Sequence, residues 1–213
     1  MYHAVGKIPN YPNTDGFHLV QLVSSRDLRN WQRLGDRKTF IGPSPTGAGA
    51  YDLMQIIGPS SAVIKDDELW FYYTGLKYRA NWEYVGEYPN GKHIPLPGLD
   101  PDVGAVCLAV LRRDGFVSLD AKETKGTVIT ESFRLSGTDL YINVDALNGN
   151  CVVEVIDEDG KTLSESANIT GDLLHSKVNW QNGNLASLQG QIISLRFTLH
   201  SASIYSYWLD NQI

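Results

Sequence analysis

Cysteine and methionine are scarce in this 213-residue chain, with two of each, and the scarcity is informative. Cys107 and Cys151 both lie inside apolar runs (GAVCLAVL and NCVVEVI), where a small buried thiol is the ordinary state. No disulfide is expected, because two buried cysteines in different segments rarely meet the bridging geometry. Neither their number nor their spacing suits a metal site, and no cofactor motif accompanies them. No run approaches the roughly 20 apolar residues of a membrane-spanning helix. The N-terminal MYHAVGKIPNYPN lacks the basic start and apolar centre of a signal peptide, so the chain as written reads as a cytoplasmic or truncated product. Positive charge is short as well. Eighteen Lys and Arg against 24 Asp and Glu give a net charge of -6 and a pI near 5.3, which argues against a surface built to neutralise phosphates or an anionic membrane. Nucleic acid and membrane are therefore not expected partners.

What the chain does contain is the vocabulary of a β protein. Twenty glycines and nine prolines punctuate text rich in Val, Ile, Tyr, Trp and Thr. In the first half, 17–24 (FHLVQLVS) is a strand candidate. Ala62-Val63-Ile64 and Leu69 to Tyr73 form a hairpin about a polar turn at Asp66-Asp67. The nearly continuous apolar run 103–112 suggests a strand buried on both faces. From about Gly126, short strands recur: 128–130, 133–135, 140–145, 151–156, 177–180, 192–199 and 203–209. Turns are expected at Asn148-Gly149-Asn150, Asp157 to Gly160 and Asn182-Gly183-Asn184. Roughly seven or eight such strands make a β-sandwich. Between Tyr78 and Asp102 lies a stretch with four prolines and several aromatics, too long for a routine connection and of the kind that is functional or disordered.

Several of these residues form a recognisable set: Ser25-Arg26-Asp27 with Trp31, Tyr51-Asp52 with Met54, Glu68 to Gly75 (ELWFYYTG), and Leu111 to Asp120 (LRRDGFVSLD). As a set they resemble the C-terminal part of bacterial proteins related to glycoside hydrolase families 32 and 43, which carry a five-bladed β-propeller followed by a β-sandwich. The resemblance implies a partial propeller of about two blades over 1–122 and a C-terminal β-sandwich over 123–213. It implies a carbohydrate-active protein, by glycosidic hydrolysis or by binding, with a non-catalytic binding or structural module as the alternative. In the S-R-D-x-x-x-W turn, Asp27 is expected to accept backbone N–H groups of its own turn and Trp31 to cover the blade interior. The chain also departs from the family. A five-bladed propeller takes about 250–300 residues at four strands per blade, and here about 120 precede the sandwich. The family signatures N-D-P-N-G, R-D-P and E-C do not occur, so the usual catalytic carboxylates are expected to be missing. Exposed blade edges are templates for strand pairing, and self-association through them is expected.

A glycosidase needs one protonated and one ionised carboxyl group, about 5–5.5 Å apart for retention or 6.5–9.5 Å for inversion. Asp15, Asp52, Glu83, Glu87, Asp100 and Asp102 are the first-half candidates. Asp52 stands out, between the glycine-rich Thr46 to Tyr51 and the apolar Leu53-Met54, where a loop rim would be partly desolvated; the alternative is a carboxylate capping a turn. Sugars stack their C–H faces on aromatic rings while their hydroxyls seek polar side chains. That chemistry points to Tyr73, Trp82 and Tyr84 with Arg79, Glu83 and Asp15 as carbohydrate contacts. The loop aromatics could equally pack against a partner or a neighbouring domain. The five histidines are scattered without ligand spacing, so no metal is expected.

Overall fold

The structure, a computed structural model, describes residues 18–45, 47–77, 102 and 104–210. These residues form an all-β protein with no α-helix among them. Two compact units are present. Among the described residues, the first comprises those up to Ile64 together with those from Trp70 to Val110, and the second Lys65–Leu69 together with those from Leu111 onward.

The first unit holds small sheets. β1 (Val20–Gln21) pairs with β4 (Thr39–Ile41), and β2 (Val23–Ser24) with β3 (Gln32–Arg33). The β2–β3 turn closes on Asp27, whose Oδ1 accepts the backbone N–H of Arg29 at 2.9 Å and of Asn30 at 2.7 Å. These bonds hold the Asp27 carboxyl far below the usual carboxylate range. Trp31, expected to cover an interior, is instead 55% exposed. Its ribbon is exposed at every strand position, so no interior lies beneath the indole.

A larger sheet joins β5 (Gln55–Ile57), β6 (Val63–Lys65), β7 (Glu68–Leu76) and β8 (Gly104–Arg112). The β6–β7 hairpin turns at Asp66-Asp67, where Asp66 takes a left-handed φ of 52°. Along β7, Leu69, Phe71, Tyr73 and Gly75 are buried while Glu68 and Tyr72 are exposed, the two-residue alternation of a strand with one face in a core. β8 alternates too: Val106 is 75% and Val110 50% exposed. The expectation of burial on both faces fails: one face of β8, with Val106, Leu108 and Val110, stands exposed, because among the described residues no layer covers it.

The second unit is a nine-stranded sheet that nearly closes into a barrel-like form. Its strands are β9 (Leu119–Ala121), β10 (Gly126–Ile129), β11 (Phe133–Arg134), β12 (Asp139–Ile156), β13 (Thr162–Ser166), β14 (Ile169–Lys177), β15 (Trp180–Asn182), β16 (Ile192–His200) and β17 (Ala202–Asp210). β12 explains the curl. Residues 139–146 pair with β14 and β17, while residues 150–156 pair with β13 and β16. The turn expected at Asn148-Gly149-Asn150 is therefore a bulge inside one long strand. The bulge also switches side-chain parity: Leu140, Ile142, Val144 and Ala146 are buried before it, Cys151, Val153 and Val155 after it. Without that switch, one half of β12 would turn its apolar residues to solvent. Gly149 makes the bend possible, because a Cβ there would collide with the backbone oxygens of His200 and Ser201. Cys151 lies fully buried in this core and both cysteines are free. Burial pushes the Cys151 thiol up to about 12.

Candidate functional site

Asp52 sits where residues 51–57 cross the end of β7. Met54 N–H donates to Leu76 O at 3.1 Å, Ile56 lies opposite Gly75, and Ser44 N–H donates to Asp52 O at 3.0 Å. Gly75 permits this approach, since a Cβ there would lie 2.7 Å from Asp52 Cβ and 2.9 Å from its backbone N. The Asp52 side chain thereby reaches the buried face of β7. It is 6% exposed, and Tyr73 Oη donates to its Oδ2 at 2.8 Å. Burial, and then the hydrogen bond to the Asp52 carboxylate, holds the Tyr73 phenol well above its usual range. Cys107 shares this environment, and its thiol is raised by burial and then by the Asp52 charge.

A second polar group lies beside it at the rim of the same unit. Tyr51 Oη donates to Asp102 Oδ1 at 2.5 Å, Lys77 Nζ approaches Asp102 Oδ2 at 2.7 Å, and the Lys77 ammonium lies 4.6 Å from the centre of the Tyr51 ring. The bonds from Lys77 and Tyr51 hold the Asp102 carboxyl below its usual range. The two described candidates, Asp52 and Asp102, are thus engaged, one by a phenol and one by a cation and a phenol. Of the residues the sequence nominates, the structure brings Asp52 and Tyr73 together. Asp15, Arg79, Trp82, Glu83 and Tyr84 lie outside the described residues.

Comparison with protein-family models, with curated proteins and with solved structures finds no match. The chemistry of the site therefore has to be read from its own residues. Among the described residues no group of three or more His, Cys, Asp or Glu could hold a metal ion.

The second unit carries a groove that sequence reading does not nominate. Asp67, Arg113, Asp114, Leu174, His175 and Trp208 line a volume of about 180 Å³, and all six belong to this unit. Its walls are two turns fastened together. Arg113 N–H donates to Asp67 O at 2.8 Å, and the side-chain amide of the buried Asn143 on β12 donates to Arg113 O at 2.6 Å. Asp114 takes a left-handed φ of 55°, and Gly115 N–H closes the turn on Arg112 O. At the sheet, Trp208 on β17 lies directly opposite Tyr141 on β12. Their rings stack at 5.7 Å with 10° between planes, and His175 on β14 meets Trp208 edge-on at 4.7 Å. Sequence reading places Asp67 in a turn and Trp208 in a strand without linking them; what joins Trp208 to Tyr141 and His175 is strand register.

Proposed function

We propose that this chain recognises carbohydrate rather than cleaving it, as part of a protein built like the family 32 and 43 glycoside hydrolases that its motifs resemble. In this reading residues 1–122 supply about two propeller blades and residues 123–213 the β-sandwich. The observation that carries the non-hydrolytic choice is the seat of Asp52, buried and bonded by Tyr73. A glycosidic acid or nucleophile has to touch the scissile bond and be matched by a second carboxyl at a set separation. Asp52 serves as an internal acceptor, and Asp102 is held by Lys77 and Tyr51. Arg79, Trp82, Glu83 and Tyr84, with Asp15, remain the proposed sugar contacts of the first half, while Tyr73 serves Asp52. Self-association through the edge of β8 that is unpaired among the described residues belongs to the same proposal.

Incubation with a panel of aryl glycosides tests the choice. No release above the uncatalysed rate is expected. Turnover that Asp52→Asn abolishes in a folded chain would assign hydrolysis instead.

A further inference from the structure

We infer that the groove on the second unit binds one neutral sugar residue, the terminal unit of a glycan, with Trp208 as its platform and Asp67, Arg113 and Asp114 as its hydroxyl partners. This inference rests on the carbohydrate reading and supplies a site that the first-half residues do not include.

Size limits the ligand. Pockets for drug-sized molecules run to roughly 300–1,000 Å³, and about 180 Å³ leaves room for a single ring rather than a chain segment or a nucleotide. The platform is rigid before any ligand arrives. Tyr141 supports the Trp208 indole from one side, and the His175 edge abuts it at 84°, so little side-chain freedom is lost on stacking. Trp208 is half-buried at the groove, and an amphipathic aromatic ring is a surface on which a sugar's C–H groups pack.

The polar wall matches the other side of a sugar. Among the described residues, the side chains of Asp67, Arg113 and Asp114 take part in no ion pair or hydrogen bond. Their backbones, by contrast, are fixed by the Asp67–Arg113 and Asn143–Arg113 bonds. Carboxylates accept from hydroxyl groups and the guanidinium donates to them, so the three offer both halves of what a polyol requires. Two carboxylates against one guanidinium also make the groove a poor host for an anionic sugar.

The test is a titration of the ¹⁵N-labelled full chain, following tryptophan indole N–H resonances, with free neutral aldohexoses, a ketohexose, a pentose and a hexuronic acid. Trp208→Phe, which keeps a ring on the sheet, assigns the Trp208 signal. A saturable shift of that signal with a neutral sugar is expected, with the Trp180 signal unmoved. Arg113→Ala and Asp114→Gly, both at exposed turn positions and the second keeping the left-handed φ of residue 114, should each weaken binding roughly tenfold while leaving the spectrum of the folded chain in place. Shifts confined to other tryptophans would overturn this site while leaving the carbohydrate reading intact. No response to any sugar would overturn both, and tighter binding of the hexuronic acid than of its neutral parent would overturn the ligand class.

Discussion

Tyr73 Oη and Asp52 Oδ2 meet at 2.8 Å inside the first unit, and the value of that bond depends on burial. A hydrogen bond to a charged group contributes about 1.5–3 kcal/mol, and removing one partner exposes the other to its full desolvation cost. Tyr73→Phe is therefore expected to destabilise the first unit by about that amount, as read by urea denaturation. Asp52→Asn keeps an oxygen acceptor for the phenol and is expected to cost less. The reverse order would mean that the phenol is not what holds the carboxylate. The sequence marked Asp52 by its place between glycines and apolar residues as a partly desolvated rim carboxylate, and the structure buries it more deeply, at 6% exposure. The sequence could not show Tyr73 across the sheet, because that contact depends on Gly75 letting residues 51–57 lie close on β7.

At the level of elements, β12 carries the most structural information. Gly149 passes against the β16–β17 turn with no room for a side chain, so Gly149→Ala should destabilise the second unit by about 3 kcal/mol, the upper end for overpacking, measured by denaturant unfolding. A loss under about 1 kcal/mol, the ordinary glycine-to-alanine scale, would show that the bulge is pliable. The same strand holds Glu154, directly opposite Arg196 on β16. Arg196 Nε and Nη2 both donate to its carboxylate, and this pairing, with Thr162, lowers the Glu154 carboxyl below its usual range. A lowered folded value means stability that is present above the unfolded carboxylate range and lost as pH falls through the folded value. Glu154→Gln should then cost about 1–2 kcal/mol at neutral pH, with the difference from the parent shrinking toward zero as pH falls through the lowered folded value. A pH-independent difference would contradict the ion pair as its cause.

How much of this was legible follows from what local sequence encodes. The β6–β7 hairpin, the turn at Asp157 to Gly160 and the strands from 192 to 209 announced themselves through alternation and turn residues. The segments at 140–145 and 151–156 were both visible, yet their union into one strand was hidden, since Asn148-Gly149-Asn150 has the composition of a turn and acts as a bulge. β13 and most of β14 escaped because Ser164, Ser166, Asp172 and His175 break the apolar pattern. Tertiary partners satisfy some of those polar groups: Ser166 Oγ accepts Val153 N–H, and Asp172 pairs with Arg112.

On the scale of the whole molecule, the all-β class follows from composition, while association and ligand depend on surfaces. Val106, Leu108, Val110 and Tyr72 are exposed on adjoining strands, and the edge of β8, unpaired among the described residues, is with them a template for pairing. Sedimentation should show a concentration-dependent dimer that Val106→Lys weakens; a monomer at every concentration would remove self-association from the proposal. The central claim is sugar recognition without cleavage, and saturation-transfer NMR of the full chain with a mixture of oligosaccharides reads both halves at once. Transfer to sugar protons with anomeric signals unchanged over time is the expected result. Decay of those signals into new reducing ends, or no transfer to any sugar, would contradict it.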